Sequence, residues 1–317
     1  MRFLFVMDPP SVVKFDSDTS FALMLEAQAQ GHRVDHCLPT DLFLVSGTLH
    51  AHVRRASLQR DPIEPIQLAQ GEDVNLESVD AVFVRTDPPF DTNYLWTTLM
   101  LERLRGKTLV INDPRGLRDA NEKLYATQFP ELMPDTMVTS HRERIRSFLK
   151  QLGGKAVIKP VDGAGGRGVM ALSEGDPNLR AIIDTVTEAG RRLAMVQRFL
   201  PAYKQGDKRI LLLDGEPIGA VLRVPRSDDI ASNLAMGGTA AKAEVDDADR
   251  RIIARLAPAL RRDGLYFVGL DVIGGMLTEV NVTSPTGIQQ IMRLNNENVP
   301  ARVIEWVVQK ASSLKPH

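Results

Sequence analysis

Phe267-Val-Gly-Leu-Asp-Val-Ile-Gly-Gly-Met-Leu-Thr-Glu-Val-Asn-Val-Thr-Ser-Pro-Thr286 contains two apolar, strand-like runs joined at Gly274-Gly275, a strong hairpin pattern. Polar residues interrupt the second run at a spacing of two. Glu279 and Asn281 therefore leave one face of a regular strand. Asp271 lies on the first run. A strict two-residue turn sets it opposite Thr278. An odd loop, Gly274-Gly275-Met276, or a one-residue bulge sets it opposite Glu279 and brings three oxygen donors to one face. Two carboxylates and an amide oxygen on one face repel unless a cation stands among them. Hard oxygen donors in this number suit Mg²⁺, which keeps its other positions for water and phosphate. A hairpin with a solvated polar face is the plainer alternative, and the apolar neighbours argue against it.

Upstream, Lys155-Ala-Val-Ile-Lys-Pro160 reads as a strand running into Asp162-Gly-Ala-Gly-Gly-Arg-Gly168. Four glycines in seven residues let successive backbone N–H groups turn toward a phosphate without Cβ interference. Lys159 at the strand end adds a point charge. The spacing fits neither a P-loop nor a dinucleotide fingerprint, because a strand-like Val169–Leu172 follows the glycines and not a helix. A hairpin tip would account for the glycines alone. The combination with a strand-end Lys and a downstream acidic hairpin points to nucleotide.

The stretches Gly269-Leu-Asp-Val-Ile and Thr278-Glu-Val-Asn-Val-Thr-Ser-Pro-Thr286 resemble the metal-binding hairpin of ATP-grasp ligases. Within that superfamily the chain is most similar to the bacterial glutathione synthetases, over nearly its whole length. Arg85-Thr-Asp-Pro-Pro-Phe-Asp91 resembles that family's peptide-contacting segment. The resemblance implies an α/β ATP-grasp fold behind an N-terminal parallel-sheet domain, with domains at 1–122, 123–200 and 201–317. It implies Asp271, Glu279 and Asn281 as ligands of Mg²⁺ or Mn²⁺, and Lys123, Lys159, Gly163, Gly165 and Gly166 at the phosphates of ATP. Main-chain groups of Gln197, Arg198, Phe199 and Leu200 would hold adenine, and Asp207 the ribose. Arg209 and Arg223 would face the reacting phosphoryl and carbonyl groups. Arg85 and Asp87 would contact the peptide, and Ser284, Pro285 and Thr286 would border a glycine pocket. The implied reaction joins γ-glutamylcysteine and glycine with ATP, through an acyl phosphate, to give glutathione, ADP and phosphate. The family's usual tetramer implies a homo-oligomer.

The segment from Pro225 to Glu244 is rich in Ser, Asp, Ala and Gly and lacks a clear period, as lids do. The resemblance places Asn233 there, near metal-bound phosphate. Related sequences generally carry Arg two positions before that Asn, where this chain has Ala231; either nearby Arg226 substitutes or lid closure is weaker here.

The first third alternates strands (Phe3–Met7, Arg33–Cys37, Ala81–Arg85, Leu109–Asn112) with helices (Thr19–Gln30, Leu95–Arg105), a rhythm that argues for a parallel, helix-covered sheet. Leu49–Glu77 fits it less well and reads as an edge hairpin with an exposed loop. Asn121-Glu-Lys-Leu124 reads as a helix start. Asp207–Leu213 and Glu216–Arg223 form a hairpin around Asp214-Gly215. Asp246–Arg262 and Val299–Ala311 read as helices packing the acidic hairpin from outside.

At 317 residues the chain is long enough for two or three domains. Lys plus Arg number 39 against 40 acidic residues, so no net field recruits nucleic acid or an anionic membrane. No apolar run reaches the length of a membrane span. The single cysteine, Cys37, permits no internal disulfide and fits the reducing cytoplasm. Two rivals to the ligase reading remain: another ATP-grasp carboxylate–amine ligase, and a non-catalytic ATP-binding regulator of the same fold.

Overall fold

The computed structural model describes residues 1–225 and 238–314. The chain opens with β1 (Arg2–Met7), α1 (Thr19–Ala29) and β2 (Arg33–Cys37). Next come β3 (Leu42–Val45), β4 (Thr48–Leu58) and β5 (Ile66–Asn75). β6 (Ala81–Arg85), α2 (Thr92–Leu101), β7 (Leu109–Ile111) and α3 (Pro114–Asp119) complete the first unit. β2, β1, β6 and β7 pair in parallel in that order. Their side chains are buried on both faces, as in Phe3, Leu4, Phe5 and Val6, which is what helix cover on a parallel sheet produces. The segment expected as an edge hairpin with a loop is mostly ladder. β4 pairs with β3, β5 and the end of β2, and its burial alternates because one face is wet.

The second unit holds β8 (Thr136–Thr139), α4 (Arg142–Gln151), β9 (Lys155–Pro160), β10 (Met170–Ser173), α5 (Leu179–Val186) and β11 (Ala194–Arg198). Its four strands run antiparallel in the order β10-β9-β11-β8. It has a small core of its own, built on Ile145, Leu149, Ile158, Leu172, Ile183 and Val196.

The third unit contains β12 (Asp207–Leu213), β13 (Glu216–Val224), β14 (Thr239–Lys242) and α6 (Asp247–Arg262). β15 (Phe267–Ile273), β16 (Met276–Asn281), α7 (Ile288–Asn295) and α8 (Val299–Leu314) follow. The sheet order is β14-β13-β12-β15-β16. Residues of this sheet such as Ile210, Leu212, Val268 and Leu270 share one apolar cluster with Leu4, Val6, Val82 and Val84 of the first sheet. The first and third units thus form one packed base, and the second stands over it with a separate core.

Three expectations are corrected. Residues 121–124 begin no α-helix: the Asn121 side chain accepts from the backbone N–H groups of Lys123 and Leu124, and a short 3₁₀ turn, Tyr125–Gln128, ends before Pro130, where proline stops propagation. α8 meets the acidic hairpin at its first residue, Phe267, and does not cover its length. Its Val303, Ile304 and Val307 are buried with Phe21 and Met24 of α1, while Ile252, Leu256 and Leu260 of α6 pack with hairpin residues Leu270 and Leu277. The far end of the segment expected as a loop, 225–244, is strand β14 on the edge of β13. Arg226, Ala231 and Asn233 lie outside the described residues. Among the described residues no helix is long and apolar enough to cross a membrane.

Candidate active site

The β15–β16 register decides between the alternatives that the glycines left open. Ile273 pairs with Met276 around Gly274 and Gly275, both at positive φ (57° and 76°), the backbone a tight two-residue turn demands. One residue later the register shifts. Val272 pairs with Leu277 and Asp271 with Glu279, leaving Thr278 as the extra residue of a bulge. The Thr278 hydroxyl donates across the bulge to the Asp271 carbonyl at 3.1 Å. The turn is therefore strict, and the bulge brings the carboxylates opposite each other, with Asn281 opposite Gly269. All three line a cavity of about 160 Å³ between the second and third sheets.

Neighbouring strands supply counter-charge by register. Arg209 of β12 sits opposite Asp271 of β15, and Arg223 of β13 opposite Asp207 of β12. Arg209 Nε and Nη2 donate to the two oxygens of Asp271, the second at 3.0 Å. Arg223 Nη2 lies 2.6 Å from Asp207 Oδ2 and 2.9 Å from Asp271 Oδ1. On the other side, Glu279 Oε1 stands 3.3 Å from Lys159 Nζ and 3.4 Å from Lys123 Nζ. Lys123 also donates to the Gly163 carbonyl.

Burial opposes the charge of Asp271, but two guanidinium groups outweigh it and hold the carboxyl below the usual range. At Asp207 burial, with the Asp271 charge adding to it, outweighs the Arg223 and Arg209 guanidinium groups and pushes the carboxyl up to about 6. Burial also works against Glu279, yet Lys159 and Lys123 keep it below the ordinary glutamate value. Lys159 is pushed down by burial, with Glu279 opposing. Among the described residues four cations stand against Asp207, Asp271 and Glu279, with Glu122 a fourth carboxylate beside Lys123, and Arg223 Nε is buried without a hydrogen-bond partner among them. Four converging cations suit a polyanion such as a triphosphate.

The rest of the cavity divides into a glycine-lined end and an apolar slot. Gly165 and Gly166, both at positive φ, line it beside Lys159. Gly163 and Lys123 line an adjoining smaller cavity instead. The far end is walled by Val157, Val169, Ile273, Phe199, Leu200, Tyr203 and Pro134, with Gln197 and Arg198 at the rim. The Arg198 side chain turns outward to Asp135, so only its main chain is left for the slot. Val157, Val169, Tyr203 and Ile273 were not singled out in the sequence; alternation along β9 and β15 was the available signal for two of them.

The residues expected at the peptide and glycine do not line this cavity. Arg85 is 4% exposed and serves its own chain: Nε donates to Ser20 Oγ and Nη2 to the Pro285 carbonyl, each at 3.0 Å. Its guanidinium lies 5.6 Å from the Phe267 ring centroid. Asp87 is exposed, and its backbone N–H donates to Asp8 Oδ2 at 2.9 Å. Ser284, Pro285 and Thr286 do not line that cavity and are joined to it through Arg209 Nη1, which donates to the Thr286 carbonyl at 3.2 Å.

The donor chemistry fits a hard divalent cation. Asp271, Glu279 and Asn281 border one cavity, and among the described residues no Cys, Met or His lines it. Among the described residues no three His, Cys, Asp or Glu side chains cluster as a metal site. A cation here therefore needs oxygens from elsewhere, as Mg²⁺ takes from substrate phosphates.

Comparison with known proteins gives this geometry a family. Residues 1–118 match the N-terminal domain of prokaryotic glutathione synthetase, and residues 122–296 match its ATP-grasp domain. The glutathione synthetase of Thermosynechococcus vestitus is 46% identical over 322 residues, covering 97% of this chain and 99% of that protein. That of Photorhabdus laumondii is 44% identical over 288 residues, covering 90% and 91%. A solved D-cycloserine synthetase superposes with a TM-score of 0.69 at 17% identity, over 99% of this chain and 100% of that one, a likeness of fold alone. With both domain models matched in order and the bulged acidic hairpin facing a glycine-rich loop across one cavity, the chain belongs to the prokaryotic glutathione synthetase family.

Proposed function

We propose that this chain joins the cysteinyl carboxylate of γ-glutamylcysteine to the amine of glycine, using ATP and passing through an acyl phosphate. ATP-dependent carboxylate–amine ligation follows from the family; the roles below are our assignment. The observation that carries it is the charge layout. A buried carboxylate pair at the bulge is ringed by Arg209, Arg223, Lys123 and Lys159, at one end of a cavity whose other end is apolar.

In this reading adenine occupies the apolar slot and the phosphates run past Gly165 and Gly166 toward Lys159. Asp271, Glu279 and Asn281 would hold Mg²⁺, which offsets phosphate charge when bound. Lys123 and Lys159 exchange Glu279 for phosphate oxygens, a swap their spacing permits. The substrate carboxylate attacks the γ-phosphoryl group, and the protein contributes position and charge neutralisation. The glycine amine then attacks the acyl carbon. Arg209 and Arg223 are fixed by Asp271 and Asp207, and they stabilise the oxyanion that develops. No protein nucleophile is required, because the substrates supply both reacting groups.

The test is ADP release measured with each substrate left out in turn, alongside detection of glutathione. ADP release that needs γ-glutamylcysteine, and product that needs glycine, supports the proposal. ADP release indifferent to both substrates, or none at all, removes it in favour of a non-catalytic nucleotide-binding role.

A further inference from the structure

The acidic hairpin is closed at one end by its Gly-Gly turn. Its open end is held by a residue of a different sheet. Asn112, directly after β7, is 3% exposed. Its Nδ2 donates to the Phe267 carbonyl at 2.9 Å and to the Val282 carbonyl at 2.7 Å. Its Oδ1 accepts from the Phe267 backbone N–H at 2.7 Å. Phe267 is the first residue of β15, and Val282 directly follows β16. One side-chain amide therefore ties both strands together, and Asp271, Glu279 and Asn281 all lie between that tie and the turn.

The bulge makes the tie matter. At Thr278 the ladder is interrupted beside Asp271, and a slip of one residue there would set Thr278 opposite Asp271 and turn Glu279 away from the cavity. The turn by itself permits either register. An unbulged ladder would set Phe267 directly opposite Val282, whereas the bulge offsets them by one residue; three bonds from one rigid amide hold that offset, and with it the bulged register. The position needs two donations and one acceptance from a short side chain. Asparagine supplies them; a carboxylate offers no donor and an aliphatic residue offers nothing.

We propose that Asn112 is a positioning residue for the metal and phosphate groups, setting from the first sheet the register in which Asp271, Glu279 and Asn281 face the cavity. It rests on the ligase reading above only for what is finally catalysed. Supports of this kind typically change metal affinity or activity by about 10–100-fold.

The full-length chain is tested as Asn112→Ala and Asn112→Asp. Asn112→Asp keeps the shape and the acceptor for the Phe267 N–H, so it can stand in if Asn112→Ala does not fold. Three readouts are taken: hydrogen exchange of the nucleotide-free protein, half-saturating Mn²⁺ by electron paramagnetic resonance with a non-hydrolysable ATP analogue, and steady-state kinetics. We expect faster exchange concentrated at 267–283, a half-saturating Mn²⁺ raised by about tenfold or more, and a matching fall in kcat. The KM for ATP should stay within about threefold, because the adenine slot is built mostly on the second sheet. A lower melting temperature with exchange raised evenly, and with kcat and half-saturating Mn²⁺ within about twofold of the parent, would reduce Asn112 to a staple between sheets and overturn the proposal. If the parent protein makes no glutathione, the ligase reading fails, and exchange and Mn²⁺ binding still decide the role of Asn112.

Discussion

Replacing Glu279 with Gln keeps the shape of the hairpin face and removes one charge. Glu279 Oε1 is 3.3 Å from Lys159 and 3.4 Å from Lys123. At an effective dielectric of about 20, each contact has a Coulomb attraction of roughly 5 kcal/mol before desolvation is subtracted. Breaking a buried pair from one side costs about 3–5 kcal/mol. The Glu279 side chain is 23% exposed, so the lower end, about 3 kcal/mol, is the better figure for the nucleotide-free protein. That corresponds to a melting temperature lower by roughly 4–5 °C for a chain of this length. Nucleotide binding moves the other way. Glu279 competes with phosphate for the same two ammonium groups, so metal-free ATP should bind Glu279→Gln at least as tightly as the parent. Turnover should fall by on the order of 10²-fold or more, because a carboxylate is lost from the oxygen set that fits the cation. Calorimetric titration with ATP, differential scanning and ADP release give the three numbers. Turnover within about tenfold of the parent, or loss of ATP binding in a folded variant, would refute the assignment of Glu279.

Three further outcomes are expected. The Asp207 carboxyl, raised by burial to about 6, binds its proton more tightly folded than unfolded. Its stabilising contribution is therefore complete below the unfolded value and is lost as pH rises through about 6. Urea melts at several pH values should show Asp207→Asn becoming more stable relative to the parent between about pH 4 and pH 7; a constant difference would contradict the burial argument. Gly116 of α3 faces the third unit so closely that an added Cβ would sit 2.1 Å from the Asp263 carbonyl oxygen. Gly116→Ala should cost about 3 kcal/mol in a denaturant titration, and a loss under about 0.5 kcal/mol would show that this contact gives way. Arg85→Gln removes the guanidinium that holds the Pro285 carbonyl and should raise the KM for glycine several-fold more than the KM for ATP. Equal effects on both would detach Arg85 from the glycine side.

The parts of the site legible in the sequence are those set by short-range periodicity. Glu279 and Asn281 share a face because strands repeat every two residues, and Lys159 and the glycines mark a strand end and a turn. The position of Asp271 was undecidable there, since a two-residue and a three-residue loop both fit Gly274-Gly275-Met276. The bulge at Thr278 settled it through pairing alone. Arg85 was legible as a binding residue by resemblance, but its partners are chosen by the tertiary fold. Pro285 is 200 positions away, and the cation ends up buried against Phe267. Asn112 gave no signal, because its partners at 267 and 282 lie 155 and 170 positions away. α4 carries little sequence signal: only Ile145 and Leu149 of its ten residues are buried, a stripe too thin to stand out among its charges. The helix expected at 121–124 failed because the Asn121 cap is real but the chain after it reaches Pro130 within a few residues.

The central claim is that the cysteinyl carboxylate is activated as an acyl phosphate. Amide formation must expel a carboxylate oxygen, a poor leaving group until it becomes part of phosphate, and in the proposed reading Lys123, Lys159, Arg209 and Arg223 carry that phosphate's charge. γ-Glutamylcysteine labelled with ¹⁸O in its cysteinyl carboxylate decides it, with mass spectrometry of the products after limited turnover. One label should appear in inorganic phosphate for each peptide bond made, and none in ADP. Label released into water, as unactivated attack requires, or found in AMP, as an adenylate requires, would contradict the mechanism.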